Sequence, residues 1–151
     1  MSLSTTPHLN FRGDARAALE FYRTVFGGEL TVHTYVDFGM PKDLPGADGV
    51  VFGQVLSVDG FHVMAYDIPG ETGGSADAGG RTHRENGTTI TTSPFFVSVQ
   101  GETTAEVQAY WDKLSVGASI VEPLAASAWS PGFGMLTDGF GVTWSVGVAP
   151  R

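Results

Sequence analysis

The segment FRGDARAALEFYRTVFGG at residues 11–28 is repeated, loosely, by VQGETTAEVQAYWDKLSVG at residues 99–117. Laid one on the other, Gly13 meets Gly101, Asp14 meets Glu102, Leu19 meets Val107, Tyr22 meets Tyr110 and Phe26 meets Leu114. A repeat of this length constrains the fold more than any composition does, because each copy must be one unit of supersecondary structure. The flanking segments repeat as well. HLNFR at 8–12 reads as a short strand. Asp14 is placed to cap a helix over about 15–26, whose apolar stripe is Ala18, Phe21, Tyr22, Val25 and Phe26. Gly27 and Gly28 stop that helix.

ELTVHTYVDF then reads as a strand, followed by a turn-rich loop at 39–49. GVVFGQVLSV and FHVMAYD form a hairpin about a two-residue Asp59-Gly60 turn. In the second copy SPFFVSVQ is a strand, and Thr103 with Glu106 has the spacing of a capping box. The helix it opens has its apolar positions at Val107, Tyr110, Trp111 and Leu114. GASIVEPLAASAWS gives a strand and a loop, and GFGMLTDGFGVTWSVGVAP a closing hairpin whose DGFGV echoes DGFHV at 59–63. The hairpins superpose at a displacement of 79 or 81, and both preserve which residues face inward.

The expected architecture is α+β: two βαβββ modules at 1–67 and 91–151, joined by a Gly-rich linker or loop at 68–90. A helix covers one face of each module's sheet and leaves the other bare. Two copies therefore bury or share bare faces as curved mixed sheets around a cleft.

Composition narrows the function. The 151 residues carry 8 Lys and Arg against 16 Asp and Glu, a net charge of −8 with no basic cluster, which argues against nucleic acid and anionic membrane as partners. No apolar run approaches the roughly 20 residues that span a bilayer. The absence of cysteine removes disulfides, thiolate metal sites and cysteine nucleophiles. With no apolar leader at the start, the expected location is the cytoplasm. There is no Walker loop and no G-x-S-x-G elbow. Glu20, Glu106 and Asp112 read as solvated helix residues, and Glu122 as a strand-end acid.

PHLNFRGDARAALEFYRTVFGGEL, with A-x-x-F-Y-x-x-x-F-G inside it, and the later D-x-F-G-x-x-W of FGMLTDGFGVTWSV resemble the vicinal-oxygen-chelate superfamily. The chain is most similar to its PhnB-like branch, often labelled glyoxalase/bleomycin-resistance or demethylubiquinone-methyltransferase-like, over about residues 7–148. The superfamily includes isomerases, extradiol dioxygenases, thiol transferases and metal-free drug-sequestering proteins, so the resemblance implies a fold and leaves the chemistry open.

The resemblance also implies a divalent-ion site with one ligand from the first and last strand of each module. Those positions fall on His8, on Met64, on Pro94 or Phe95, and on Ser145. A thioether is a poor donor for hard divalent ions, and Pro or Phe offers none. His62 and Tyr66 share the face of Met64, leaving His8 and His62 as the only metal candidates. His33 and His83 are weaker ones.

Aromatic side chains are the more informative feature. By strand alternation Trp144 is core and Ser145 faces the cleft, while Trp129 and Phe133 precede the last hairpin and cap the cleft or pack on a partner chain. The expected cleft residues are His8, His62, Met64, Tyr66, Trp129, Phe133 and Ser145. They imply a small aromatic or apolar ligand bound without the usual metal. The alternatives are a lyase, isomerase or dioxygenase using zinc, nickel, manganese or iron on an atypical ligand set, and a non-catalytic interaction module. The resemblance further implies a homodimer, with the cleft built within one chain or across two.

Overall fold

The computed structural model describes residues 2–76 and 80–149. Residues 77–79, inside the stretch read as a Gly-rich loop, lie outside the described residues, as do Met1 and residues 150–151 of the terminal modules. The chain divides after Ser75 into two compact units.

The first unit runs β1 (His8–Phe11), α1 (Ala15–Phe26), β2 (Glu29–Thr34), a short 3-10 turn (Val36–Phe38), β3 (Val50–Leu56) and β4 (His62–Asp67). Its sheet has the order β1-β4-β3-β2, with β1 and β4 parallel and the other pairs antiparallel. The second unit adds a hairpin, β5 (Thr82–Glu85) and β6 (Thr88–Thr91). It then repeats the plan with β7 (Val97–Gly101), α2 (Thr104–Leu114), β8 (Ser119–Ala125), β9 (Phe133–Thr137) and β10 (Thr143–Val148). The sheet order β7-β10-β9-β8 matches the first, including one parallel pair, β7 with β10. The expected α+β class and the two βαβββ modules are both present.

Register fixes the repeat. Gly53 pairs with Ala65, Gln54 with Met64 and Leu56 with His62. Gly134 pairs with Val146, Met135 with Ser145 and Thr137 with Thr143. These are equivalent at a displacement of 81. The DGF echo, displaced by 79, is therefore turn chemistry falling two residues out of step. Each turn has three residues rather than the expected two. Ser57 N–H donates to Phe61 O across Val58-Asp59-Gly60, and Asp138 N–H donates to Val142 O across Gly139-Phe140-Gly141. In both, the last glycine takes a positive φ, 104° at Gly60 and 87° at Gly141, which closes a three-residue loop.

The helices cover corresponding faces. α1 buries Ala15, Ala18, Leu19, Tyr22 and Val25. The stripe is thus rotated from the expected one: Leu19 enters, and Phe21 and Phe26 stay half-buried at its margins. Leu19 drops onto Gly53, where a Cβ would come within 2.5 Å of its Cδ1. Gly134 repeats this beneath Trp111, where a Cβ would stand 2.8 Å from the indole. A large helix side chain over a strand glycine is how both modules bring helix and sheet together.

The two helix starts differ. Thr103 Oγ1 accepts from Glu106 N, and Glu106 Oε2 accepts from Glu102 N, close to the expected capping box. The Glu102 amide, then the Tyr110 hydroxyl, hold the Glu106 carboxyl below its ordinary value. Asp14 makes no side-chain cap. Its carboxylate binds the amide and hydroxyl of Ser75 instead. The capping role passes to Asp67 at the end of β4. Its Oδ1 accepts from Gly13 N at 2.8 Å and Ala15 N at 3.0 Å, and its Oδ2 accepts from Val50 N at 2.8 Å.

Candidate functional site on the helix-free sheet faces

Strand alternation gives each sheet a helix side and a bare side. In the first module Leu9, Phe11, Val55, Val63 and Ala65 are buried on the helix side. Their neighbours His8, Asn10, His62, Met64 and Tyr66 take the bare side. Register adds Gln54 and Phe52 from β3, and Thr31 and His33 from β2. All four expected residues of this module, His8, His62, Met64 and Tyr66, thus share one face, with His8 directly beside Met64.

This face is organised by hydrogen bonds and rings. His8 Nδ1 lies 3.0 Å from Asn10 Oδ1, an acceptor, so in the tautomer that makes this bond Nδ1 donates and Nε2 is the nitrogen left to accept. The His8 ring meets Tyr66 edge-on, with centroids 5.3 Å apart. His62 has both nitrogens engaged, Nδ1 with Thr6 Oγ1 at 2.9 Å and Nε2 with Gln54 Oε1 at 3.0 Å. His33 lies against Phe38 and Phe52 at 6.1 and 6.0 Å between centroids. The 3-10 turn after β2 returns Phe38 to this ring group. Five of the side chains here are therefore aromatic or imidazole rings: His8, His33, Phe38, Phe52 and Tyr66.

In the second module Trp144 is fully buried on the helix side and Ser145 half-buried on the other, as alternation requires. Ser145 shares its face with Met135 and Phe133. Trp129 is 65% exposed, and its ring stands 4.7 Å from Phe133.

The expected register of the opening strand needs correction. β7 starts at Val97, so Pro94 and Phe95 lie before the strand. Ser98 stands beside Ser145, as His8 stands beside Met64. The register-equivalent positions are thus His8, Met64, Ser98 and Ser145. The first module thus offers one imidazole and one thioether and the second two hydroxyls, and neither pair by itself fits a divalent ion. Nor does His62 add a donor, since neither of its nitrogens is free. Among the described residues no group of three His, Cys, Asp or Glu side chains could hold an ion.

A hairpin within the stretch read as linker also bears on the site. The Asn86-Gly87 dipeptide, with φ of 50° and 76°, turns β5 into β6. That dipeptide was the available signal for it. The hairpin brings Arg84 against the bare side of the second sheet. Its Nη1 donates to Thr89 Oγ1 at 2.8 Å, and the Thr89 hydroxyl reaches Met135 Sδ at 3.5 Å. Its Cζ stands 5.8 Å from the centre of Phe133, and its Nε 3.4 Å from Glu122 Oε2. Glu122 lies within β8, opposite Met135, rather than at a strand end.

A cavity of about 290 Å³ lies apart from these faces, at the carboxyl ends of β1 and β4. Arg12, Asp48 and Glu71 are exposed around it, and Tyr35 and Asp67 form part of its wall. Tyr35 donates to Asp67 O at 2.7 Å. Burial, then the neighbouring Tyr66 and Asp67, push its phenol above the ordinary 10.0, so it stays a donor. This wall serves the capping network.

Two four-stranded sheets, each with one helix side and one bare side, define a duplicated α+β protein. The chain belongs to the Glyoxalase/Bleomycin resistance protein/Dioxygenase superfamily, whose profile matches residues 6–146. It is 29% identical over 148 residues to the uncharacterized protein Rv0887c of Mycobacterium tuberculosis, covering 97% of this chain and 74% of that one. Protein YjdN of Escherichia coli is 24% identical over 158 residues, covering 97% and 95%. Among solved structures, protein PA1353 from Pseudomonas aeruginosa has a TM-score of 0.76 at 27% identity, covering 99% of this chain and 100% of that one. A PhnB protein from Bacillus cereus shares the fold at a TM-score of 0.66 and 22% identity, over 97% and 100%. No helix among the described residues is long and apolar enough to cross a membrane.

Proposed function

We propose that this protein binds a small, planar organic molecule on the bare sheet faces, as a PhnB-like member of its superfamily working without the usual divalent ion. One observation carries the reading: His8, His33, Phe38, Phe52 and Tyr66 stand together on the first module's helix-free face, while the positions the superfamily uses for metal ligands hold Met64, Ser98 and Ser145. The phenyl and phenol rings of Phe38, Phe52 and Tyr66 supply stacking area to a flat ligand and confer little affinity for an ion. His8 Nε2, with Nδ1 committed to Asn10, accepts a hydrogen bond from the ligand. Phe133 and Trp129 supply the second module's aromatic surface. We place the protein in the cytoplasm as a homodimer.

Calorimetric titration of chelator-treated protein with a panel of small aromatic molecules tests this. The expected result is saturable binding of at least one member. It should survive excess chelator and weaken about tenfold in Phe52→Ala, the order of effect of removing one stacking platform. Binding that appears only after a divalent ion is added overturns the reading, and so does failure of the whole panel.

A further inference from the structure

We infer that Arg84 is an anion anchor, and that the ligand of the second module's bare face carries a carboxylate or an equivalent two-oxygen anion on its planar body. This inference rests on the small-molecule reading above and gives that ligand a chemical class.

The Arg84 guanidinium is held in place but incompletely satisfied. Its side chain is 22% exposed, and its Nε is buried without a hydrogen-bond partner among the described residues. Glu122 Oε2 at 3.4 Å neutralises the charge without the geometry of a hydrogen bond to that nitrogen. Burying a donor of a charged group without a partner is costly, so such an atom calls for an explanation. Three features hold the guanidinium where it is: the Thr89 hydroxyl on Nη1, the Phe133 ring beside Cζ, and the tight Asn86-Gly87 hairpin behind the strand. Thr89 is itself tied to the buried Met135.

Glu122 is the more exposed member of the pair. Its side chain is 40% exposed, and β8 is irregular in register on both sides of it. Its carboxylate offsets the guanidinium charge. An incoming carboxylate displaces the Glu122 carboxylate toward solvent and takes the guanidinium in the two-pronged geometry that Glu122 does not achieve. Arginine presents a rigid donor fork matched to two-oxygen acceptors, and the charge-assisted bonds it forms are about twice as strong as neutral ones. The Phe133 ring, with Trp129 beyond it, then lies where the flat part of the same ligand would stack. A ring and a guanidinium side by side recognise an aromatic carboxylate rather than a free inorganic anion, which would leave the ring unused.

The test uses a naphthalene carboxylate and its neutral carboxamide, titrated calorimetrically into the full chain. The wild type should bind the carboxylate about tenfold more tightly than the amide, the difference expected of one charge-assisted pair. Arg84→Gln should bring the carboxylate to the level of the amide and leave the amide within about twofold. Arg84→Lys should restore part of the preference. Glu122→Gln removes the competing carboxylate and should tighten the carboxylate severalfold, which decides the matter if Arg84→Gln does not fold. Equal binding of the two probes by wild type, or a Glu122→Gln protein that binds the carboxylate no better, overturns the anion anchor and leaves the small-molecule reading standing. Failure of both probes to bind overturns the anchor, and the wider aromatic panel then decides the reading beneath it.

Discussion

Replacing Asp67 with alanine should lower the unfolding free energy by about 3–5 kcal/mol, because three backbone donors lose a charged acceptor at once. Asp67 is 4% exposed and joins the turn before α1, the first residue of that helix and the start of β3. Each orphaned buried N–H, at Ala15 and Val50, costs about 1–3 kcal/mol; the part-buried Gly13 N–H costs less, and one relaxation serves it together with its neighbour Ala15. Against a total stability of about 5–15 kcal/mol this is a large fraction. Asp67→Asn keeps an oxygen for the helix start but turns its amide toward the Val50 N–H, so it should fall between the two. Urea unfolding followed by circular dichroism reads both variants. A loss below about 1 kcal/mol in Asp67→Ala would mean that the turn rearranges and the carboxylate is dispensable. The second module has no such residue. Val148 stands at the equivalent register position, and its helix relies on the local Thr103 cap.

Trp144→Ala should cost about 3–5 kcal/mol, the range for removing a large buried aromatic side chain. Trp144 is the largest fully buried side chain, and its indole N–H donates to Asp138 Oδ2 at 2.8 Å. The same Asp138 accepts through Oδ1 from Phe140 and Val142 N–H and so shapes the β9–β10 turn. Removing the indole opens a cavity on the helix side and frees one bond of a buried carboxylate. Trp144→Phe refills part of the space without restoring that bond and should recover about half of the loss. Urea unfolding gives the comparison. A Phe variant as stable as wild type would show that the Asp138 bond contributes nothing.

These two residues also show how far the sequence could be read. Trp144 was legible as core because strand alternation assigns a face without knowledge of the partner. The Thr103 cap was legible because both ends of the bond lie within three residues. Asp67 was not, since the donors it serves are 17 to 54 positions away. Asp14, in the right place by sequence, was diverted to Ser75 for the same reason. The repeat supplied the βαβββ plan, the family resemblance singled out His8 and Met64, and alternation then put His62 and Tyr66 on the face of Met64. Register was harder. The echo of DGFHV in DGFGV suggested two displacements, and only strand pairing selects the one that sets Gln54 and Met64 against Met135 and Ser145. Ser98 was missed because the apolar run of SPFFVSVQ starts before its strand does. Arg84 was missed because the β5–β6 hairpin lies in a stretch whose Gly, Ser and Thr content resembles a linker, although Asn86-Gly87 marked the turn.

The proposed function depends most on the positions that the family resemblance assigns to a metal, His8 and Met64 in the first module and Ser98 and Ser145 in the second. Calorimetric titration of metal-stripped protein with zinc, nickel, manganese and ferrous ions, each without added ligand, tests it most directly. The account predicts no saturable one-to-one binding of any of them. Stoichiometric binding of one ion that is abolished in His8→Ala would contradict it.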